Sequence, residues 1–145
     1  MKRLLLVLVF VPLALVGGVQ AASAAEAGRP FSTTLTGAAE VPGPGDPDGS
    51  GTAALTVNPG LGEICYRLTV EGVAPIQAAH IHVGTANVAG PVVVGLIPPT
   101  SGTSSGCAEV ERELALAIIR NPENYYVNVH NVEYPAGALR GQLSG

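Results

Sequence analysis

Apolar and polar residues alternate along much of this chain. The alternation is clearest over Glu63–Glu71, where Ile64, Tyr66, Leu68 and Val70 interleave with Cys65, Arg67 and Thr69. A period of two puts successive side chains on opposite faces of a strand, so this segment reads as a half-buried β-strand. The same reading gives strands over Phe31–Val41, with Phe31, Thr33 and Leu35 in alternation, and over Thr52–Val57, with Ala53, Leu55 and Val57 on one face. Ala78–Val83, Tyr125–Val132 and Ala138–Leu143 are further strands. Val92–Leu96 is apolar without alternation, which suits a fully buried strand. Between these segments lie a Gly/Pro-rich loop over 42–51, a turn at Asn58-Pro59-Gly60, and loops over Thr85–Pro91 and Pro98–Gly106. Glu111–Arg120 is the one helix candidate: Leu114 and Ile118, with Leu116 and Ile119, give a partial apolar stripe, and Asn121-Pro122 ends it. Only one connection is long enough for a helical crossover, so the strands are expected to be mostly antiparallel. The pattern predicts an all-β fold, an antiparallel Greek-key-like sandwich or barrel with one short helix near 111–120.

The N-terminus departs from this pattern. Lys2 and Arg3 precede an apolar run, Leu4–Val16, broken only by Pro12, and Ala22-Ser23-Ala24 follows. A basic start, a short apolar stretch and an A-x-A site describe a secretion signal. The run is shorter than the roughly 20 residues that a membrane-spanning helix needs. No cysteine lies near the cleavage point to carry a lipid anchor. Residues 1–24 are therefore read as a cleaved signal peptide, 25–30 as a leader and 31–145 as one β domain, placing the mature protein outside the cell with no stable membrane insertion.

Without Lys2 and Arg3 the chain keeps five arginines and no lysine against eleven acidic residues, a net charge of −6 with neutral histidines. Such a surface is a poor match for nucleic acid or an anionic membrane. Cys65 and Cys107 are the only cysteines. In an exported chain an even count predicts a disulfide, and closing this loop contributes roughly 4 kcal/mol in the chain-entropy treatment. Neither cysteine has the C-x-x-C spacing of a structural zinc site.

All three histidines fall in two strand motifs, Ala79-His80-Ile81-His82-Val83 and Tyr126-Val127-Asn128-Val129-His130. His80 and His82 share one strand face, and Asn128 and His130 share another; Ile81, Val83, Val127 and Val129 occupy the opposite sides. If the strands are near neighbours, three imidazoles and an amide converge. Three neutral imidazoles can hold copper or zinc with a position left open. Asn128 or Glu40 would then orient a ring, or Glu40 would serve as a fourth ligand. The same residues can instead form a hydrogen-bonded polar cluster in which Arg140 makes a two-pronged pair with Glu40. Arg140 close to the rings would disfavour a cation. Tyr125 and Tyr126 place one ring on each strand face, the second bordering the histidines.

Other chemistry finds little support. The chain has no G-x-S-x-G elbow and no Gly-rich phosphate loop after a strand. Asp46 and Asp48 lack the full acidic spacing of a calcium loop and read as part of a solvated segment. No catalytic residue is assigned.

Five blocks carry a family resemblance: Thr36-Gly37-Ala38-Ala39-Glu40-Val41-Pro42, Ala79-His80-Ile81-His82, Gly90-Pro91-Val92-Val93, Tyr126-Val127-Asn128-Val129-His130, and Tyr134-Pro135-Ala136-Gly137-Ala138-Leu139-Arg140-Gly141-Gln142-Leu143. In this order the chain resembles the CHRD domain, first described in chordin, and specifically its single-domain secreted bacterial members. The cysteine-rich modules through which chordin binds growth factors are missing, so that signalling role is not implied. The resemblance implies a β-rich extracellular domain. More distantly the chain is similar to Cu/Zn superoxide dismutase, whose copper site uses four imidazoles. With three histidines, one copy of this chain cannot build that site. The resulting expectation is a non-enzymatic extracellular binding or structural module that meets a partner or small ligand through the His/Asn/Arg patch. The alternative is a copper or zinc metalloprotein using His80, His82 and His130.

Overall fold

The computed structural model describes residues 28–73 and 75–145. The expected signal peptide lies outside the described residues. Eight strands form one sheet: β1 (Arg29–Thr36), β2 (Ser50–Asn58), β3 (Glu63–Glu71), β4 (Ile76–Val83), β5 (Val92–Leu96), β6 (Thr103–Glu109), β7 (Tyr125–Asn131) and β8 (Leu139–Gln142). The one α-helix among the described residues, α1, is Arg112–Arg120. None of the described helices is long and apolar enough to cross a membrane.

The order across the sheet is β5-β4-β7-β8-β1-β2-β3-β6, and every pairing is antiparallel. The two end strands approach each other: Ser104 of β6 donates to the Ile97 carbonyl just beyond β5 at 2.7 Å. The sheet is thus nearly closed, which is how an antiparallel all-β fold limits its exposed edges.

Alternation decides which face is buried. On β2 and β3, Ala53, Leu55 and Val57 meet Ile64, Tyr66, Leu68 and Val70 in the interior. Ala79 and Ile81 of β4, Val127 and Val129 of β7, and Leu139 of β8 join the same core. The helix adds Ala115 and Ile118, with Leu114 and Ile119 partly buried beside them. Burying a side chain of the Val or Leu class contributes about 1.5–3 kcal/mol. The core therefore fixes Ala79 and Ile81 of β4 and Val127 and Val129 of β7 inward and sends the histidines outward.

Four local expectations are corrected. The first strand ends at Thr36, and Gly37–Ala39 forms a 3-10 turn in place of the expected run to Val41. The Gly37 carbonyl accepts from the Glu40 and Gly45 amides at 3.1 and 3.0 Å, which folds the chain back there. The Gly/Pro segment after it is exposed at Pro42–Pro44, Pro47 and Asp48 but packed at its centre: Asp46 is buried, accepts from Asn131 at 3.0 Å, and its amide donates to the Ala138 carbonyl at 2.9 Å. Val92–Leu96 is an end strand with Val92 half exposed. The predicted loop over Pro98–Gly106 is cut short, because β6 begins at Thr103 and takes its last four residues.

Strand β6 sets Cys107 directly opposite Cys65 of β3, and the two sulfurs are bonded at 2.06 Å. The expected disulfide is present and staples an end strand to its only ladder partner.

Candidate metal centre

β7 lies between β4 and β8, and its register builds the site row by row. His80 faces Asn128, which faces Arg140; His82 faces Tyr126, which faces Gln142; Ala78 faces His130. Side chains at alternate positions share a face, so His80, His82, Tyr126, Asn128, His130, Arg140 and Gln142 stand together on the side away from the core. The β4–β5 ladder shifts register between Ile81 and His82. Such irregularities re-aim side chains; here one sits at the more buried histidine.

The segment 84–91 lies over this polar face. Arg140 donates to the Val88 carbonyl at 3.0 Å, the Thr85 carbonyl at 2.8 Å and Gln142 Oε1 at 3.1 Å. Gln142 Nε2 donates to the Gly84 carbonyl at 2.8 Å, and the Gly90 amide donates to the Tyr126 hydroxyl at 3.1 Å. Gly90 is required by closeness: a Cβ there would sit 1.6 Å from the Val83 carbonyl. Arg140 is 1% exposed, and its guanidinium lies 3.5 Å from the centroid of the Tyr126 ring. His82 stacks on the same ring, 4.8 Å between centroids.

The three imidazoles come together. One nitrogen from each of His80, His82 and His130 lies within 4.8 Å of the others, and no Cys, Asp or Glu among the described residues joins the group. His80 Nδ1 is 3.2 Å from His130 Nε2. That is close to the edge of a tetrahedron of metal–nitrogen bonds of usual length, about 3.3 Å.

Backbone carbonyls set two of the tautomers. His82 Nδ1 lies 2.9 Å from the Gly90 carbonyl, and His130 Nδ1 lies 3.0 Å from the Pro135 carbonyl. A carbonyl oxygen only accepts, so both Nδ1 atoms carry the proton and both Nε2 atoms keep a lone pair in the neutral ring. His82 Nε2 is buried with no hydrogen-bond partner among the described residues. Burial holds all three imidazoles below the ordinary histidine pKa, which keeps them neutral and able to ligate. At His80 the other two histidines reinforce the lowering, and at His82 His130 and Arg140 do so, against the Gly90 hydrogen bond.

The expected Arg140–Glu40 pair is not formed; the guanidinium is spent on the covering segment. Glu40 instead accepts from Asn128 Nδ2, which also donates to the Leu139 carbonyl at 3.0 Å. Burial raises the Glu40 carboxyl to about 7, against the lowering influence of Asn128, Arg140 and the Val41 amide. Glu40 is thus held by Asn128 and lies outside the group formed by the three histidines. Gly137, at φ +152°, packs on this carboxyl so closely that a Cβ would lie 2.4 Å from Oε2. A second buried pair, Asp46 and Asn131, anchors the neighbouring turn.

Sequence reasoning missed Gln142 and the carbonyls of Gly90 and Pro135. Gln142 was detectable as the i+2 neighbour of Arg140 on β8. The carbonyls left no side-chain signal.

The sequence model of the CHRD domain matches residues 31–143. This chain belongs to the CHRD-domain family. Neither the curated proteins nor the solved structures include one that matches it. The CHRD assignment covers all eight strands but for the first two residues of β1, and all three histidines lie within it.

Proposed function

We propose that this CHRD-domain protein is exported and holds one late first-row transition ion, copper or zinc, at His80, His82 and His130. The observation that carries the reading is the buried, unpartnered Nε2 of His82. Leaving a buried polar nitrogen unpaired costs about 1–3 kcal/mol, and a ligated cation removes that cost. Two of the three rings have their protons parked on backbone carbonyls, the arrangement by which outer hydrogen bonds orient ligating histidines. An all-imidazole set suits zinc or copper and not calcium or magnesium, which take oxygen ligands. The buried Arg140 charge, which would oppose a cation, is shared among two carbonyls, an amide oxygen and the Tyr126 ring. The basic N-terminal segment with its A-x-A site and the Cys65–Cys107 disulfide support an oxidising, extracellular location.

Glu40, Asn128, Asp46 and Asn131 serve the fold: they join the turn segments around Glu40, Asp46 and Gly137 to β7. The module otherwise acts as a rigid carrier with no assigned catalytic residue.

Calorimetric titration of the metal-free mature protein with Zn²⁺ and Cu²⁺ tests the reading. One ion per chain is expected, with stoichiometric binding lost in His82→Ala while the β-sheet circular dichroism spectrum persists. Equal binding by wild type and His82→Ala, or no binding by either, overturns it.

A further inference from the structure

The nearby polar side chains are each committed away from the three imidazoles. The Tyr126 hydroxyl accepts from the Gly90 amide. Asn128 Nδ2 serves Glu40 and Leu139, and Gln142 spans Arg140, Gly84 and the Glu123 and Tyr125 carbonyls. Glu40 lies outside the ligand group. Three histidines thus leave a tetrahedral shell one ligand short, the arrangement of reactive zinc sites and unlike that of closed structural ones. The way in is also visible: His80 and His130 are only partly buried, while His82 forms the covered floor.

Charge decides what would enter. The ligand set is neutral and contributes nothing to balance a divalent ion. The nearest buried carboxyl, Glu40, is engaged by Asn128, and the Arg140 guanidinium acts on His82 from the adjoining row. The local field is positive, and a positive, partly enclosed site attracts anions.

Resting on the metal reading above, we propose that the centre is open and completes its shell from solvent with one small monodentate anion, of the class of hydroxide, halide or simple carboxylate. Segment 84–91, held by Arg140 and Gln142, borders the site, and the single vacant position takes one donor atom. Such a centre exchanges its fourth ligand freely, whereas a closed site would only brace the fold.

Azide is the probe. The full mature protein is loaded with one Cu²⁺, and its absorption and electron paramagnetic resonance spectra are followed during azide addition. The expected result is a new azide-to-copper charge-transfer band with a shifted resonance signal, saturating at one azide per copper and reversed by excess chloride or acetate. A copper spectrum indifferent to azide, with one copper still held by nitrogen ligands, overturns the open position and leaves the metal reading standing. Failure to take up one copper per chain overturns both.

Discussion

His82 is tied through Nδ1 to the Gly90 carbonyl at 2.9 Å, and the same ring buries an Nε2 that no other described residue satisfies. The bond fixes which nitrogen carries the proton, and the burial fixes the cost of leaving the other empty. A purely structural network would satisfy both nitrogens, since buried polar groups are nearly always paired. The asymmetry at this one ring is what the proposed metal role of His82 rests on.

Arg140 connects the site to the segment above it. Replacing it in Arg140→Lys keeps the charge but removes the fork that reaches Thr85, Val88 and Gln142 together. A loss of about 2 kcal/mol is expected, in line with hydrogen bonds to charged groups. Denaturant unfolding reads the stability, and hydrogen exchange at the Gly84 and Gly90 amides reads the segment. Faster exchange confined to 84–91 is expected; exchange unchanged there contradicts the latch.

Glu40 gives the fold a pH dependence of unusual sign. Its carboxyl titrates near 7 when folded and at the ordinary 4.5 when unfolded. Between those values the native state holds the extra proton, so this contribution falls as pH rises through the window. Glu40→Gln keeps an acceptor for Asn128 and removes the proton. Its stability relative to wild type should rise from pH 4.5 to 7 and then level off. Parallel pH profiles for the two proteins would contradict the assignment. The histidines act in the opposite sense: their lowered pKa makes the unfolded state take up protons first as pH falls below 6.5, weakening the metal-free fold.

The disulfide anchors β6, whose inward positions are only Ser104, Gly106 and Ala108. With so little apolar area to bury, this strand depends on its crosslink more than its neighbours do. The double variant Cys65→Ser, Cys107→Ser should lose up to about 4 kcal/mol. Equal unfolding midpoints for the oxidised protein and the variant would contradict this.

Large alternating side chains made β3 readable to the residue, and they made the H-x-H and N-x-H faces readable as well. Strand β6 escaped because Ser, Gly and Ala carry no contrast between its faces; its pairing is set by β3 and the disulfide. The first strand was drawn too long because Gly37 turns the chain through contacts with Gly45 and Glu40 that propensity does not report. At the site, the sequence named the three histidines, Asn128, Glu40, Arg140 and Tyr126 as one neighbourhood. It mispaired Arg140, because the actual acceptors at Thr85 and Val88 are main-chain carbonyls of a loop 55 and 52 residues away in sequence, and any residue type offers those.

Nitrogen-15 spectra of the histidine rings, before and after Zn²⁺, test the central claim most directly. In the metal-free protein His82 and His130 must be protonated at Nδ1. His80 must be as well, because its Nδ1 faces the lone pair of His130 Nε2. On adding one Zn²⁺, the account predicts metal-induced shifts at Nε2 of His82 and His130, with Nδ1–H retained, and a switch of the His80 proton from Nδ1 to Nε2. Three ring spectra unmoved by stoichiometric Zn²⁺ would contradict it.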